Sequence, residues 1–300
     1  MLKIAYDPIY KYQLPEGHRF PMEKYDILPE QLIYEGTVEN HNFFAPKPLT
    51  DTEILLTHSA DYLQKLNTLN LNAKEIRNIG FPMSETLVRR GKYIAGGTYQ
   101  CALHAMEHGV AMNIAGGTHH SFRDRGEGFC LFNDIAIASN LLLHQGKSAK
   151  ILVIDLDVHQ GNGTASIFGG DERVFTLSVH GEKNYPTRKE ISDLDIGMVD
   201  HCDDITYLSV LYATLPRLIE TVQPDFVFYL AGVDVLKSDK LGRLDLTKKG
   251  CKERDRFVLT TVKSYGVPMA ISMGGGYSVQ LSDIIDAHAN TFRLAQEIYF

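Results

Sequence analysis

Short apolar runs alternate with stretches of helical period from one end of this 300-residue chain to the other, and that alternation admits few folds. Lys3–Tyr6, Val110–Ile114, Lys150–Ile154, Arg173–Val179, Asp225–Tyr229 and Val267–Ile271 are apolar with little interruption, as strands buried on both faces are. Between them, Ser84–His108, Asn133–Gln145, Asp204–Val222, Thr247–Tyr265 and Ser278–Glu297 repeat apolar residues at three- and four-residue spacing. Strand followed by helix, repeated, predicts an α/β doubly wound architecture: a parallel sheet with helices on both faces. No internal repeat, low-complexity tract or polar linker breaks the pattern, so residues 1–300 read as a single domain. Pro216, inside Asp204–Val222, is expected to kink or split that helix.

Hydrophobic residues at 44% and charged residues at 22% are ordinary globular values and argue against disorder. A net charge of −7 argues against direct nucleic-acid binding through clustered Lys and Arg, while an acidic surface suits a cationic substrate. Cys101, Cys130, Cys202 and Cys251 are scattered without a C-x-x-C pair, which predicts neither a disulfide framework nor a thiolate zinc site. The amino terminus reaches Asp7 and Pro8 within one short apolar run, unlike a signal peptide. No stretch approaches 18 uninterrupted apolar residues, so no membrane span is expected. The reading is a soluble, cytoplasmic protein.

Four glycine-rich and polar clusters fall where a strand should end: Ala115–His120, Asp155–His159, Ala231–Asp234 and Met273–Tyr277. Ligand crevices of open parallel sheets lie beyond the carboxyl ends of their strands, so distant clusters meet there. Asp155, Asp157 and His159 are two residues apart and point the same way on extended backbone. Two acids and an imidazole aimed at one point call for a cation. A divalent metal held by Asp157, His159 and Asp234 leaves an open coordination position. The plainer reading makes the acids local caps and His159 a loop histidine. His119-His120 suits proton transfer near neutral pH, with Asp155 and Asn162 as polar partners for the second ring nitrogens. Taken alone, the pair reads more readily as one core and one surface histidine. Gly274-Gly-Gly-Tyr277 presents a phenol able to donate to an oxyanion, or marks a tight turn before an interfacial tyrosine.

These words, in this order, resemble the histone deacetylase family of the arginase/deacetylase superfamily. They are Gly-Gly-Thr-His119-His120, Gly126-Glu-Gly-Phe129-Cys130-Leu-Phe-Asn-Asp134, Asp155-Leu-Asp157-Val-His159-Gln-Gly-Asn162-Gly163, Ala231-Gly-Val-Asp234 and Gly274-Gly-Gly-Tyr277. The block Leu230–Leu244 and the short chain are most similar to the class IV branch. The resemblance implies a doubly wound domain around an eight-stranded parallel sheet. It also implies hydrolysis of N-ε-acyl-lysine amides, acetyl by default and longer acyl groups in some members. Asp157, His159 and Asp234 become the Zn2+ ligands, a set that suits Fe2+ as well. His119, paired with Asp155, becomes the electrostatic support, His120 the general base and then acid, with Asn162 orienting it, and Tyr277 the oxyanion donor. Gly128, Phe129 and Tyr185 match the substrate tunnel. Asp155, Asp157, His159, Ser178 and Val179 match a monovalent-cation site, expected to hold K+.

Two departures from the family pattern stand out. Asn162 replaces the aspartate of class I members, and the rim aspartate of those members is missing around Gly80-Phe81-Pro82. The second departure keeps an acetylated small amine, such as an acetylpolyamine, as an alternative substrate to an acylated lysine peptide or protein. A catalytically silent acyl-lysine-binding module is a remoter alternative. An arginase-like ureohydrolase is disfavoured because the chain supplies one full ligand set. Arg89-Arg90 reads as a solvated helix face, and the other histidines read as ordinary residues.

Overall fold

A computed structural model describes residues 1–300. Its strands are β1 (Lys3–Ala5), β2 (Phe43–Phe44), β3 (Val110–Asn113), β4 (Ile151–Asp155), β5 (Val174–Gly181), β6 (Leu194–Met198), β7 (Phe226–Leu230) and β8 (Met269–Ser272). They form one sheet in the order β2-β1-β3-β8-β7-β4-β5-β6, with every neighbouring pair parallel. The six strands expected from apolar runs are present within a residue or two. The two unexpected strands lie at the sheet edges, where burial on both faces is not required. β2 has only two residues and β6 alternates half-buried with exposed positions, so neither carries an apolar run.

The helices are α1 (Lys24–Tyr34), α2 (Asp51–Ile54), α3 (Ala60–Asn67), α4 (Ala73–Ile79), α5 (Glu85–His108), α6 (Asp134–His144), α7 (Asn162–Phe168), α8 (Asp204–Val222), α9 (Lys248–Ser264) and α10 (Leu281–Tyr299). α5, α6 and α7 form one run of touching helices, and α1, α10, α9 and α8 form another. α5 lies against β1, β3 and β8. It begins at Ser84, whose hydroxyl accepts from the Leu87 amide, and ends at Gly109 with φ of 86°. No helix is long and apolar enough to cross a membrane.

Pro216 does not split its helix: α8 runs from Asp204 to Val222 as one element. Proline forfeits one backbone hydrogen bond there, while Leu211, Leu215, Leu218, Ile219 and Val222 keep the helix buried along one side. Arg89-Arg90 also departs from expectation. Arg89 is exposed, but Arg90 is buried, with its Nε donating to the Tyr10 carbonyl at 2.6 Å and its guanidinium over the Tyr25 ring. The position after Arg89 turns from solvent toward the first residues of the chain.

β3, β8, β7 and β4 are the four central neighbours of the sheet, and every residue in them is buried. They are also the strands that precede the four clusters singled out in the sequence. Neighbouring strands lie about 4.8 Å apart, so the four carboxyl ends fall within roughly 15 Å of one another.

Candidate active site

β4 delivers Asp155 as its last residue, and the chain then turns so that Asp157 and His159 face the end of β7. Asp155 Oδ1 accepts the Asp157 amide at 3.1 Å, and Asp157 Oδ1 accepts the His159 amide at 3.0 Å. Asp234, four residues beyond β7, receives the Val158 amide on Oδ1 at 2.9 Å. His159 Nδ1 sits 3.0 Å from Asp157 Oδ1 and 3.2 Å from Asp234 Oδ2. Ligand atoms of all three residues fall within 4.8 Å of one another, and all three side chains are buried. The glycines after β8 make the close packing feasible: a Cβ at Gly275 would collide with the Asp234 carboxylate. The Gly275 amide instead donates to Asp157 Oδ2 at 2.8 Å.

The electrostatics of this trio call for a positive charge. Burial opposes a charged His159, yet hydrogen bonds to Asp157 and Asp234 hold its pKa up at about 10. Burial would also raise Asp157, but the charge of His119 and the hydrogen bond and charge of His159 pull it well below the usual carboxylate range. Asp234 is raised to about 7 by burial and by the charge of Asp157. Two buried carboxylates and one imidazole nitrogen converging on a point are a donor set that fits a divalent metal.

The two adjacent histidines follow β3, and each ring has its own partner. His119 Nδ1 lies 2.7 Å from Asp155 Oδ2, and His120 Nδ1 lies 2.7 Å from Asn162 Oδ1. The ring centroids are 4.1 Å apart. Burial works against a charged His119, but Asp155 and Asp157 outweigh it and raise the pKa to about 9. Burial and the neighbouring His119 and His159 push His120 the other way, well below the ordinary value. One imidazole is thus held as a cation and the other as a neutral ring.

Beyond His120 a cavity of about 420 Å³ opens to solvent, lined in part by Phe129, Tyr185, Tyr277, Glu127 and Leu241. Tyr185 meets the His120 ring edge-on, with centroids 4.9 Å apart, and its hydroxyl donates to Glu127 Oε2 at 2.6 Å. Gly128 and Phe129 both adopt positive φ, 53° and 69°. A left-handed phenylalanine is strained by about 1–3 kcal/mol, and the loop is held because these two amides donate to Asn78 and Ile79 at the end of α4. Phe129 also packs on Phe20, at 5.3 Å, and on Tyr277, at 6.0 Å. A smaller cavity of about 40 Å³ continues inward past the histidines to Arg90 and Ile94.

Ser178 and Val179 lie on β5, where Ser178 is the register partner of Asp155. The Ser178 hydroxyl pairs with His180 Nδ1 at 2.9 Å. Cys130, next to Phe129 in the sequence, is a free, buried cysteine.

Three contributors went unnoticed in the sequence. Lys24 on α1 is fully buried, with Nζ near the rings of Phe20, Tyr25 and Tyr277. The signal was there: Lys24, Leu28 and Leu32 recur every four residues on the buried side of α1. Pro29 within that segment hides the helix. Asp239 is the second, accepting the Tyr277 amide at 2.6 Å and the Leu241 and Gly242 amides at 2.8 and 2.9 Å. Phe20 is the third, a loop aromatic with no periodic signal.

Carboxylate and imidazole donors gathered at the central strand ends, with one pair of partnered imidazoles beside them, fit the arginase/deacetylase fold, which includes families of metal-dependent hydrolases. Its sequence narrows the class. Residues 18–292 match the Histone deacetylase domain, and the chain belongs to that family. It is 42% identical over 296 residues to an uncharacterized protein of Picosynechococcus sp., covering 99% of each chain. It is 29% identical over 277 residues to Histone deacetylase 2 of Arabidopsis thaliana, covering 89% of this chain and 72% of that one. Among solved structures, an HDAC homolog complexed with SAHA superimposes with a TM-score of 0.82 at 26% identity, over 98% of this chain and 82% of the other.

Proposed function

We propose that this protein is a Zn2+-dependent deacylase that hydrolyses N-ε-acetyl-lysine amides in peptides or proteins. The observation that carries the reading is the unlike pairing of the two imidazoles beside a buried three-donor site: His119 on a carboxylate, His120 on a neutral amide. Asp157, His159 and Asp234 would hold the metal, which when bound supplies Lewis acidity toward the amide carbonyl and water.

The residues of the chain divide the remaining work. Asn162 Oδ1 accepts from His120 Nδ1–H, which leaves the Nε2 lone pair free, and the lowered pKa keeps that ring neutral before reaction. His120 Nε2 takes a proton from water as its oxygen adds to the acyl carbon. It returns that proton to the lysine nitrogen as the C–N bond breaks, and the amine takes up the proton of the new acid, giving a carboxylate and a lysine ammonium. His119, kept cationic by Asp155, faces the negative charge that develops. Tyr277 donates its hydroxyl hydrogen to the carbonyl oxygen as that oxygen becomes anionic. Gly128, Phe129 and Tyr185 form the sides of the channel for the lysine methylenes, where apolar faces bury an alkyl stem.

The inner cavity of about 40 Å³ has room for roughly three waters, which suits acetyl and not an eight-carbon chain. Glu127 is the one carboxylate lining the mouth, and it is already engaged by the Tyr185 hydroxyl and by Arg125 Nε at 2.8 Å. An acetylated polyamine would find no free carboxylate there, which favours the peptide. The register of Ser178 beside Asp155 supports a K+ ion on β5, next to the metal ligands.

The test is a rate panel on one lysine peptide carrying acetyl, butyryl or octanoyl groups, run beside acetylspermidine, with added Zn2+ and with chelator. Metal-dependent release of acetate from the peptide is the expected result. Turnover of acetylspermidine alone would overturn the substrate, and no metal-dependent hydrolysis of any compound would overturn the reading.

A further inference from the structure

A second group of ligating side chains lies at the other end of the sheet. α5 finishes where β3 begins, so its last turn sits at the amino ends of the strands, opposite the loops that build the active site. That turn carries His104, Glu107 and His108. Residues three and four apart share one face of a helix, and the ligand atoms of these three lie within 4.8 Å of one another. The two imidazole planes are 5° from parallel, with centroids 6.3 Å apart. His108 Nε2 is 3.9 Å from Glu107 Oε2, and two ligands bound at about 2 Å to one ion sit roughly 3–4 Å apart.

The surroundings favour a cation. Carbonyls at a helix carboxyl end carry partial negative charge. Phe44 packs against His104 with centroids 4.7 Å apart and fixes that ring. The Lys3 ammonium lies 3.5 Å from the His41 carbonyl oxygen. Two imidazoles and a carboxylate match the ligand preference of Zn2+, with water completing the coordination.

We propose that His104, Glu107 and His108 form a peripheral Zn2+ site, separate from the donor set of Asp157, His159 and Asp234. The test is calorimetric titration of metal-free, tag-free full-length protein with Zn2+. His104→Gln and His108→Gln are each expected to take up one equivalent fewer than the wild type, and exposed Glu107→Gln to bind that equivalent about tenfold more weakly. Hydrolysis of acetyl-lysine peptide stays unchanged in all three. Equal stoichiometry in the wild type and both histidine variants would overturn the proposal. Because metal uptake is the readout, the result stands apart from the substrate of the active site.

Discussion

The ammonium of Lys24 reaches the carbonyl oxygen of Gly274, 3.3 Å away, and so joins the first helix to the loop that carries Tyr277. No carboxylate contacts it. Burial lowers its pKa to about 8, although Asp234 and Asp157 pull upward. An unfolded lysine titrates near 10.4, so between those values the unfolded chain holds a proton that the folded chain has released. The contribution of Lys24 to stability therefore rises with pH across that window, by up to about 3 kcal/mol. Urea unfolding of the wild type and Lys24→Met at several pH values from 7.5 to 10 reads the effect as a difference, which cancels other titrations. A difference that stays constant with pH would mean that Lys24 is solvated.

Tyr277 and Asp239 should act as one unit. Tyr277→Phe is expected to lower kcat by about 10²-fold or more, the usual scale for losing an oxyanion donor, with a smaller effect on KM. Asp239→Asn removes an acceptor of the Tyr277 amide and should cost about tenfold in kcat. In the Tyr277→Phe background the same change should cost little, because coupled residues are not additive. Full additivity would separate the two residues.

The partner of His120 sets its basicity. His120→Ala should abolish turnover and leave the metal content intact, and loss of metal would make His120 a ligand instead. Asn162→Asp places a carboxylate on Nδ1, which stabilises the imidazolium. The acidic limb of the kcat/KM profile should then move to higher pH by about one unit. An unmoved limb would assign that ionisation to another group.

Removing the metal should destabilise the fold as well as stop the reaction. With metal at 1,000 times its Kd, binding adds about 4 kcal/mol to stability, and a chelator removes it. Thermal unfolding with and without chelator measures the loss. Asp234→Asn combined with His108→Gln, which weakens both donor sets, should melt at the same temperature in both conditions. Persistent sensitivity to chelator in that variant would move the stabilising ion elsewhere.

Much of this arrangement was legible in the sequence, and the reason is geometric. Strands buried on both faces must be apolar along their length, so β3, β4, β7 and β8 announced themselves, and the polar residues that followed stood out against them. Hence Asp155, Asp157, His159 and Asp234 could be placed together before any coordinates. Edge strands and short helices carry no such contrast, and β2 and β6 stayed hidden. Lys24 and Arg90 were harder for another reason. Charged residues are read as solvent-facing, yet their burial is decided by the chain that packs over them, Gly274 for one and Tyr10 for the other. Asp239 stands between Lys237 and Lys240 in the sequence, with nothing to mark it as the acceptor of three backbone amides.

The order of strands also divides the molecule into a part that must stay fixed and a part free to change. The metal donors and the histidine pair follow strands in the middle of the sheet, whereas β2 and β6 close its two sides without contributing any of them. Lengthening the chain at those outer margins leaves the middle untouched. Relatives of this protein can therefore grow new surfaces and new partners sideways, while the chemistry at the centre keeps its shape.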